Sequence, residues 1–190
     1  MISSGDILYN PVTGETLHFL VSASETGGEY VLVEALIEPD GFVAAAHVHP
    51  YQTEVFEILE GTVGFLAGGK EIVAGAGETV VVEPGTPHKF WNAGDTPARF
   101  RTEVRPALEF ERLIETMFAL ANDGKTNRKG LPNPLRLAVI ARHHFDDVRL
   151  PFPPVWMQRL GLALGAPLGR LLGYGATYDP AAPSDAALAV

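Results

Sequence analysis

The sequence contains no cysteine, which excludes a disulfide framework and leaves histidine and carboxylate as the side chains able to hold a transition metal. It also lacks any stretch of about twenty uninterrupted apolar residues, so an ordinary transmembrane helix is not expected. Basic side chains are scarce: 14 Lys and Arg against 23 Asp and Glu give a formal charge of −9. That balance argues against nucleic acid as the main partner, because affinity for a phosphate backbone comes from clustered cations. Met1 to Gly14 has neither the basic start nor the apolar run of a signal peptide. With no cysteine to oxidise, the expected location is the cytoplasm. What is present suits a packed globular chain: 190 residues, 46% hydrophobic and 19% charged, enough for one domain with an elaboration.

Residues 1–106 are punctuated like an all-β domain. Turn signals recur at Asn10-Pro11, Gly27-Gly28, Pro39-Asp40-Gly41, Glu60-Gly61, Gly68-Gly69, Gly75-Ala76-Gly77, Pro84-Gly85 and Gly94-Asp95. Between them lie short segments rich in Val, Phe, Ile and Thr: Tyr30–Ile37, Glu54–Leu59, Thr62–Ala67, Thr79–Glu83, His88–Asn92 and Arg99–Val104. Strands at this spacing predict a sandwich or barrel. In Glu54–Leu59 both faces are apolar, Val55 and Leu59 opposite Phe56 and Ile58. An outer layer is therefore expected on the barrel, supplied by the C-terminal segment or by a second copy in a homodimer.

From residue 107 the pattern turns helical. Phe110, Leu113, Ile114, Met117 and Ala121 share one face of a helix expected over Ala107–Asn122, stopped by Asp123-Gly124. Asn133 and Pro134 read as a cap and first residue of a second helix running to about His144. Pro151, Pro153 and Pro154 interrupt the chain before an apolar stretch, Val155–Leu172, in which Gly161, Gly165, Gly169 and Gly173 recur every fourth residue. Each such glycine costs about 1 kcal/mol against alanine, and Pro167 removes a hydrogen bond. Two short helices hinged near Gly165–Pro167 are expected. Trp156, Arg159 and Arg170 among these apolar residues raise a membrane-surface contact through 153–175, but packing on the barrel or on a dimer partner is the favoured expectation.

The chemistry-bearing residues sit in the β region. His47 and His49 are two apart, and side chains at i and i+2 of a strand leave one face about 6.5–7 Å apart. Glu54 follows beyond a Pro50-Tyr51 bend, and His88 lies in a separate strand about forty residues on. Such a set closes around an ion only if the sheet curls into a barrel. Three neutral imidazoles and one carboxylate suit Fe(II), Mn(II), Ni(II), Cu(II) or Zn(II). Phe56 shares a face with Glu54 and Phe90 with His88, and with Phe65 and Phe100 these are expected to line an apolar ligand cavity.

Written with its glycines, the first stretch runs Gly41, His47, His49, Glu54, Gly61, and the second runs Gly77, Gly85, His88, Asn92. The first satisfies the opening cupin motif at every defining position and the second most of its partner motif. Over roughly residues 25–105 the chain resembles a small single-domain cupin of the conserved-barrel type. One departure stands out: Glu83 occupies the place of a motif proline, and Pro84 follows one position later. The resemblance implies an all-β double-stranded β-helix (jelly-roll) barrel over residues 1–106, N-terminal strands included. The helical C-terminal extension, 107–190, lies outside it. The resemblance also implies one divalent metal, with His47, His49, Glu54 and His88 as its ligands.

The leading functional expectation is a metal-dependent, dioxygenase-like enzyme acting on a small oxygen-bearing organic molecule, with Glu54 as a candidate base. Non-redox isomerase or decarboxylase chemistry and a non-catalytic small-molecule-binding barrel are the alternatives. Other polar clusters have plainer readings. His143-His144 with Asp146-Asp147 is expected to be a charge cluster at a helix end, since adjacent helical residues diverge by about 100°. Glu57 has the parity opposite to Glu54 and should point outward. Arg99, Arg101, Glu103 and Arg105 alternate on one strand face, expected to be a solvated or interface face, with binding of a substrate carboxylate the lesser alternative.

Overall fold

The computed structural model describes residues 2–179; residues 180–190 of the expected C-terminal extension lie outside the described residues. Strands β1 (Ile7–Asn10), β2 (Glu15–Val21), β3 (Val31–Ile37), β4 (Thr53–Glu60), β5 (Thr62–Ala67), β6 (Lys70–Gly75), β7 (Thr79–Val82), β8 (His88–Asn92) and β9 (Ala98–Arg105) precede helices α1 (Phe110–Asn122), α2 (Pro134–His143) and α3 (Val155–Leu171). The strands form two antiparallel sheets, ordered β1-β2-β3-β9-β4-β7 and β6-β5-β8. The segment before β4 extends the smaller sheet: the Val43 amide donates to the Phe90 carbonyl at 3.1 Å, and His47 and His88 exchange backbone hydrogen bonds of 2.9 Å. Together these make the jelly-roll barrel.

Period-two alternation decides which side chains enter it. Val31, Val33, Ala35 and Ile37 of β3 face inward, as do Ala98, Phe100, Thr102 and Val104 of β9. Arg99, Arg101 and Arg105 point outward and pair with Glu34, Glu57, Glu60, Glu29 and Glu103, so this face is an ion-paired surface. Phe19, Phe56, Phe65 and Phe100 fill the interior, each contributing roughly 1.5–3 kcal/mol by burial. At the β4–β5 turn Gly61 adopts φ +73°, and a Cβ there would lie 2.9 Å from the Pro97 carbonyl oxygen; only glycine lets β4 reverse so tightly over the β8–β9 loop.

The polar strand β6 was not among the expected elements, because most of its residues face solvent and carry no inward alternation. Helix α1 begins at Phe110, three residues later than expected. Helix α2 starts as read, with the Asn133 side chain accepting from the Leu135 amide. The expectation of two hinged helices at the end is corrected: α3 is one continuous helix with Pro167 inside it. Close packing on α2 holds it together. A Cβ on Gly169 would lie 2.4 Å from the Leu135 carbonyl oxygen, and one on Gly165 would lie 3.1 Å from Ala138 Cβ. Gly161 has open space around its Cβ position, so the glycine stripe is only partly an interface. The outer side of α3 leaves Trp156, Leu160, Leu164, Leu168 and Leu171 exposed. Among the described residues no helix is long and apolar enough to cross a membrane.

The helical part is stitched to the barrel through α1 and through the segment after α2. Glu111 of α1 accepts from the Ala23 amide at 2.8 Å, and the Asn122 side chain donates to the Tyr9 carbonyl at 2.6 Å. Beyond α2 the chain returns to the barrel, where Val48 and Arg149 exchange backbone hydrogen bonds of 2.8 and 2.9 Å. That second seam lies between His47 and His49.

Candidate metal centre and its cavity

Three constraints deliver the four expected ligands. His47 and His49 share a face of the segment that pairs with β8, Glu54 is the second residue of β4 on its inward parity, and His88 opens β8. The ring centroids of His47 lie 4.9 Å from His49 and 4.3 Å from His88. Glu54 Oε2 is 2.7 Å from His88 Nε2, and Glu54 Oε1 is 3.8 Å from His49 Nε2. One donor atom from each of the four falls within 4.8 Å of the others. His49, Glu54 and His88 are buried, and His47 is half-buried. The displaced proline of the second motif leaves the turn intact, with the Gly85 amide bonded to the His49 carbonyl at 2.8 Å.

Backbone carbonyls fix all three imidazoles from behind. His47 Nδ1 donates to Ala45 O at 2.8 Å, His49 Nδ1 to Asp147 O at 2.6 Å and His88 Nδ1 to Thr86 O at 3.0 Å. A proton on each Nδ1 leaves the Nε2 lone pair free, the tautomer a metal requires. Burial pushes His47 down to about 3, and the neighbouring His88 and His49 rings push the same way. Burial alone would raise Glu54, but His49, His88 and His47 outweigh it and hold the carboxyl at about 2. For His88 burial works against protonation and the adjacent Glu54 carboxylate prevails, raising its pKa. Glu54 Oε2 and His88 Nε2 are buried 2.7 Å apart, and among the described residues neither has a hydrogen-bond partner beyond the other. Buried donors with open lone pairs and no other partner fit a divalent transition ion.

The cluster opens on a cavity of about 540 Å³. Phe56, Phe90 and Phe100 line it from the barrel, and Ile114, Ile140 and Met157 from the helices. Three of the four expected lining phenylalanines are therefore in the wall. Phe65 is the correction: it is fully buried behind the wall, 5.1 Å from Phe56 and 6.4 Å from Phe90 between ring centroids. Its inward parity on β5 carries it into the core between the sheets.

The cluster after α2 is also more ordered than expected. His143 and Asp146 are exposed, and His143 Nε2 lies 3.0 Å from Glu109 Oε2. His144 and Asp147 are buried, with His144 Nδ1 donating to Asp147 Oδ2 at 2.8 Å. That bond clamps the turn whose carbonyl holds His49. His144 falls four residues after buried Ile140, so helical periodicity carried a signal for its burial. No residue-type signal could reveal the Asp147 carbonyl, since any residue carries one.

Residues 33–104 match the family model described as a cupin domain. Over 94% of this chain and 87% of its own length, "Probable oxidoreductase virH" of Hypocrea virens is 26% identical; a match that long takes in most of the helical extension. "Quercetin 2,3-dioxygenase" of Bacillus subtilis is 34% identical over 80 residues, which are 42% of this chain and 23% of that protein. Among solved structures, a predicted oxalate decarboxylase of Thermotoga maritima superposes with TM-score 0.49 and 21% identity, covering 56% of this chain and 99% of that one. With the two motifs, the jelly-roll topology and the family match in agreement, residues 33–104 form a cupin domain.

Proposed function

We propose that this chain is a metal-dependent oxidoreductase, dioxygenase-like in its chemistry, acting on a small and largely aromatic molecule that presents oxygen to the metal. The observation that carries the reading is the convergence of four donors, three of them buried and the three imidazoles tautomerically fixed, at one side of an apolar cavity. His47, His49, Glu54 and His88 would hold one Fe, Mn, Ni, Cu or Zn ion. When bound, such an ion supplies open coordination positions at which a ligand oxygen is polarised. The surrounding residues do the rest. Phe56, Phe90 and Phe100 exclude water and orient a flat ligand by edge and face contacts. Glu54 serves first as the single anionic ligand. Held near 2 among three imidazoles, its carboxylate is too weak a base to keep a hydroxyl proton unless it first turns away from them. The names of two relatives, an oxidoreductase aligned along almost the whole chain and a dioxygenase of quercetin, support oxidation as the reaction type.

The test is metal analysis of protein purified without chelator, comparing wild type with His49→Ala and His88→Ala, followed by oxygen uptake with flavonols, catechols and diketones. Stoichiometric metal in wild type, lost in both variants, is expected together with uptake for at least one phenolic class. Metal retained in either variant removes that residue from the ligand set. Ligand binding without oxygen uptake moves the chain to the binding or non-redox alternatives. The exposed leucine stripe of α3 is where we place the contact with a second copy, since a formal charge of −9 opposes docking on an anionic bilayer.

A further inference from the structure

The β1–β2 hairpin contributes a second polar group to the cavity, remote from the metal centre. Asn10 and Glu15 are direct cross-strand partners and both line the cavity, 4% and 6% exposed. Directly paired residues of an antiparallel ladder project from the same face. The turn between them fixes the amide: Asn10 Oδ1 accepts from the Val12 and Thr13 amides at 3.0 and 3.3 Å. Among the described residues nothing bonds to Asn10 Nδ2. The Thr13 hydroxyl donates to Glu15 Oε2 at 2.6 Å, and Glu15 Oε1 makes no hydrogen bond to any described residue. Burial raises the Glu15 carboxyl to about 7, lowered only in part by Thr13, and no cation contributes. A buried carboxyl with one oxygen open in an apolar wall is costly and calls for a further partner that the described residues do not provide.

Strand register places this pair at the opposite end of the sheet from the metal centre. Glu15 is level with Ile37 of β3, whereas Glu54 is level with Val104 of β9 and through it with Val31. Six residues of β3 separate those rows, about 20 Å of strand. Between them the inner face offers Leu17, Ala35, Val33 and the phenylalanines as wall, with the Thr102 hydroxyl beside Val33 and Phe56. A cavity with polar groups at two ends and a largely apolar middle matches an elongated aromatic molecule oxygenated at both ends.

The geometry points to Asn10 and Glu15 as a recognition site for a hydroxyl group at the end of the ligand distal to the metal. The pairing is chemically selective. A hydroxyl accepts from Asn10 Nδ2 and donates to Glu15 Oε1, satisfying both open atoms at once. A ligand carboxylate would meet Glu15 as a like charge once Glu15 ionises, and an ammonium has no lone pair with which to accept from Asn10 Nδ2. The assignment rests on the proposed reading only in using the same cavity.

Binding of quercetin and of galangin, which share their fused-ring hydroxyls and differ in the pendant-ring ones, separates the two. Fluorescence titration of the full chain measures both affinities, and the metal content of every sample is determined in parallel. Wild type is expected to bind quercetin at least tenfold more tightly than galangin. Glu15→Leu should abolish that preference while leaving galangin affinity and metal content unchanged. Asn10→Asp keeps the turn acceptor, removes the donor and should weaken quercetin selectively. His88→Ala should lose metal yet keep the preference, so failure of the metal reading and failure of this one are distinguishable. Equal affinities in wild type, no binding of either probe, or a preference that survives Glu15→Leu would each overturn the assignment.

Discussion

Glu15→Gln offers a stability test that needs no ligand. A carboxyl whose ordinary value is 4.5 and whose folded value is about 7 binds its proton more tightly in the native state. Between those two values the folded chain therefore carries more protons than the unfolded one, and stability falls as pH rises. At about 1.4 kcal/mol per pH unit the whole interval is worth roughly 3 kcal/mol, absent below pH 4.5 and complete above about pH 7. Glutamine keeps the shape and an oxygen for Thr13 but cannot ionise. Glu15→Gln should thus match wild type near pH 4.5 and exceed it by up to roughly 3 kcal/mol at pH 8, about 10 °C at most for a chain of this size. Thermal unfolding of both proteins at pH 5, 6.5 and 8 gives the difference directly, because all other titrations cancel. A difference that does not grow with pH, or a wild type more stable than the variant at pH 8, would show that Glu15 is not held protonated by burial.

His144→Ala removes the ring that clamps Asp147 and frees the carbonyl behind His49; metal affinity, read by competition with a chelator, should fall about tenfold or more with the fold retained. Unchanged affinity would make that clamp irrelevant to the centre. Gly169→Ala forces a Cβ to within 2.4 Å of the Leu135 carbonyl oxygen and should cost about 1–3 kcal/mol of stability, whereas Gly161→Ala meets open space and should be neutral or gain up to about 1 kcal/mol. Equal melting temperatures for the two would contradict the α2–α3 packing. Light scattering of wild type should give twice the chain mass, and Leu164→Glu with Leu168→Glu should give a monomer; a monomeric wild type would remove the second copy from α3.

The convergence of the quartet was legible because one rigid periodicity, the alternation along a strand, ties spacing to geometry in two segments. His47 and His49 share a strand face at any register, and Glu54 and Phe56 keep theirs through β4. Only the pairing of the 42–48 segment with β8 had to be supplied by the fold. The outward Glu57 and the ion-paired face of β9 follow from the same parity. What stayed hidden was tertiary. Phe65 has the inward parity of a wall residue, but its strand lies in the smaller sheet and delivers it to the core. Pro167 and four spaced glycines argue locally for a broken helix, yet α2 packs so closely against Gly165 and Gly169 that a continuous α3 prevails. Glu15 gave no signal at all, because a carboxylate at a hairpin end is ordinarily solvated; only burial by the barrel and the loop at Gly130, whose Cβ position is 3.1 Å from Thr13 Cγ2, makes it unusual.

The seam between the extension and the barrel gives the helices a part in the candidate metal centre. Val48 pairs with Arg149 on either side of the point where His49 Nδ1 reaches Asp147 O. Docking of the post-α2 segment and orientation of the His49 lone pair therefore share one short set of hydrogen bonds. Linkage makes the dependence mutual: a metal that requires His49 in this tautomer favours the docked segment, and a segment that docks poorly lowers metal affinity by the same factor. The wall residues Ile114, Ile140 and Met157 ride on the same helices, so ligand burial and metal geometry are set together. A bare barrel would keep all four ligands in sequence while losing the carbonyl behind one of them and half the cavity around the rest.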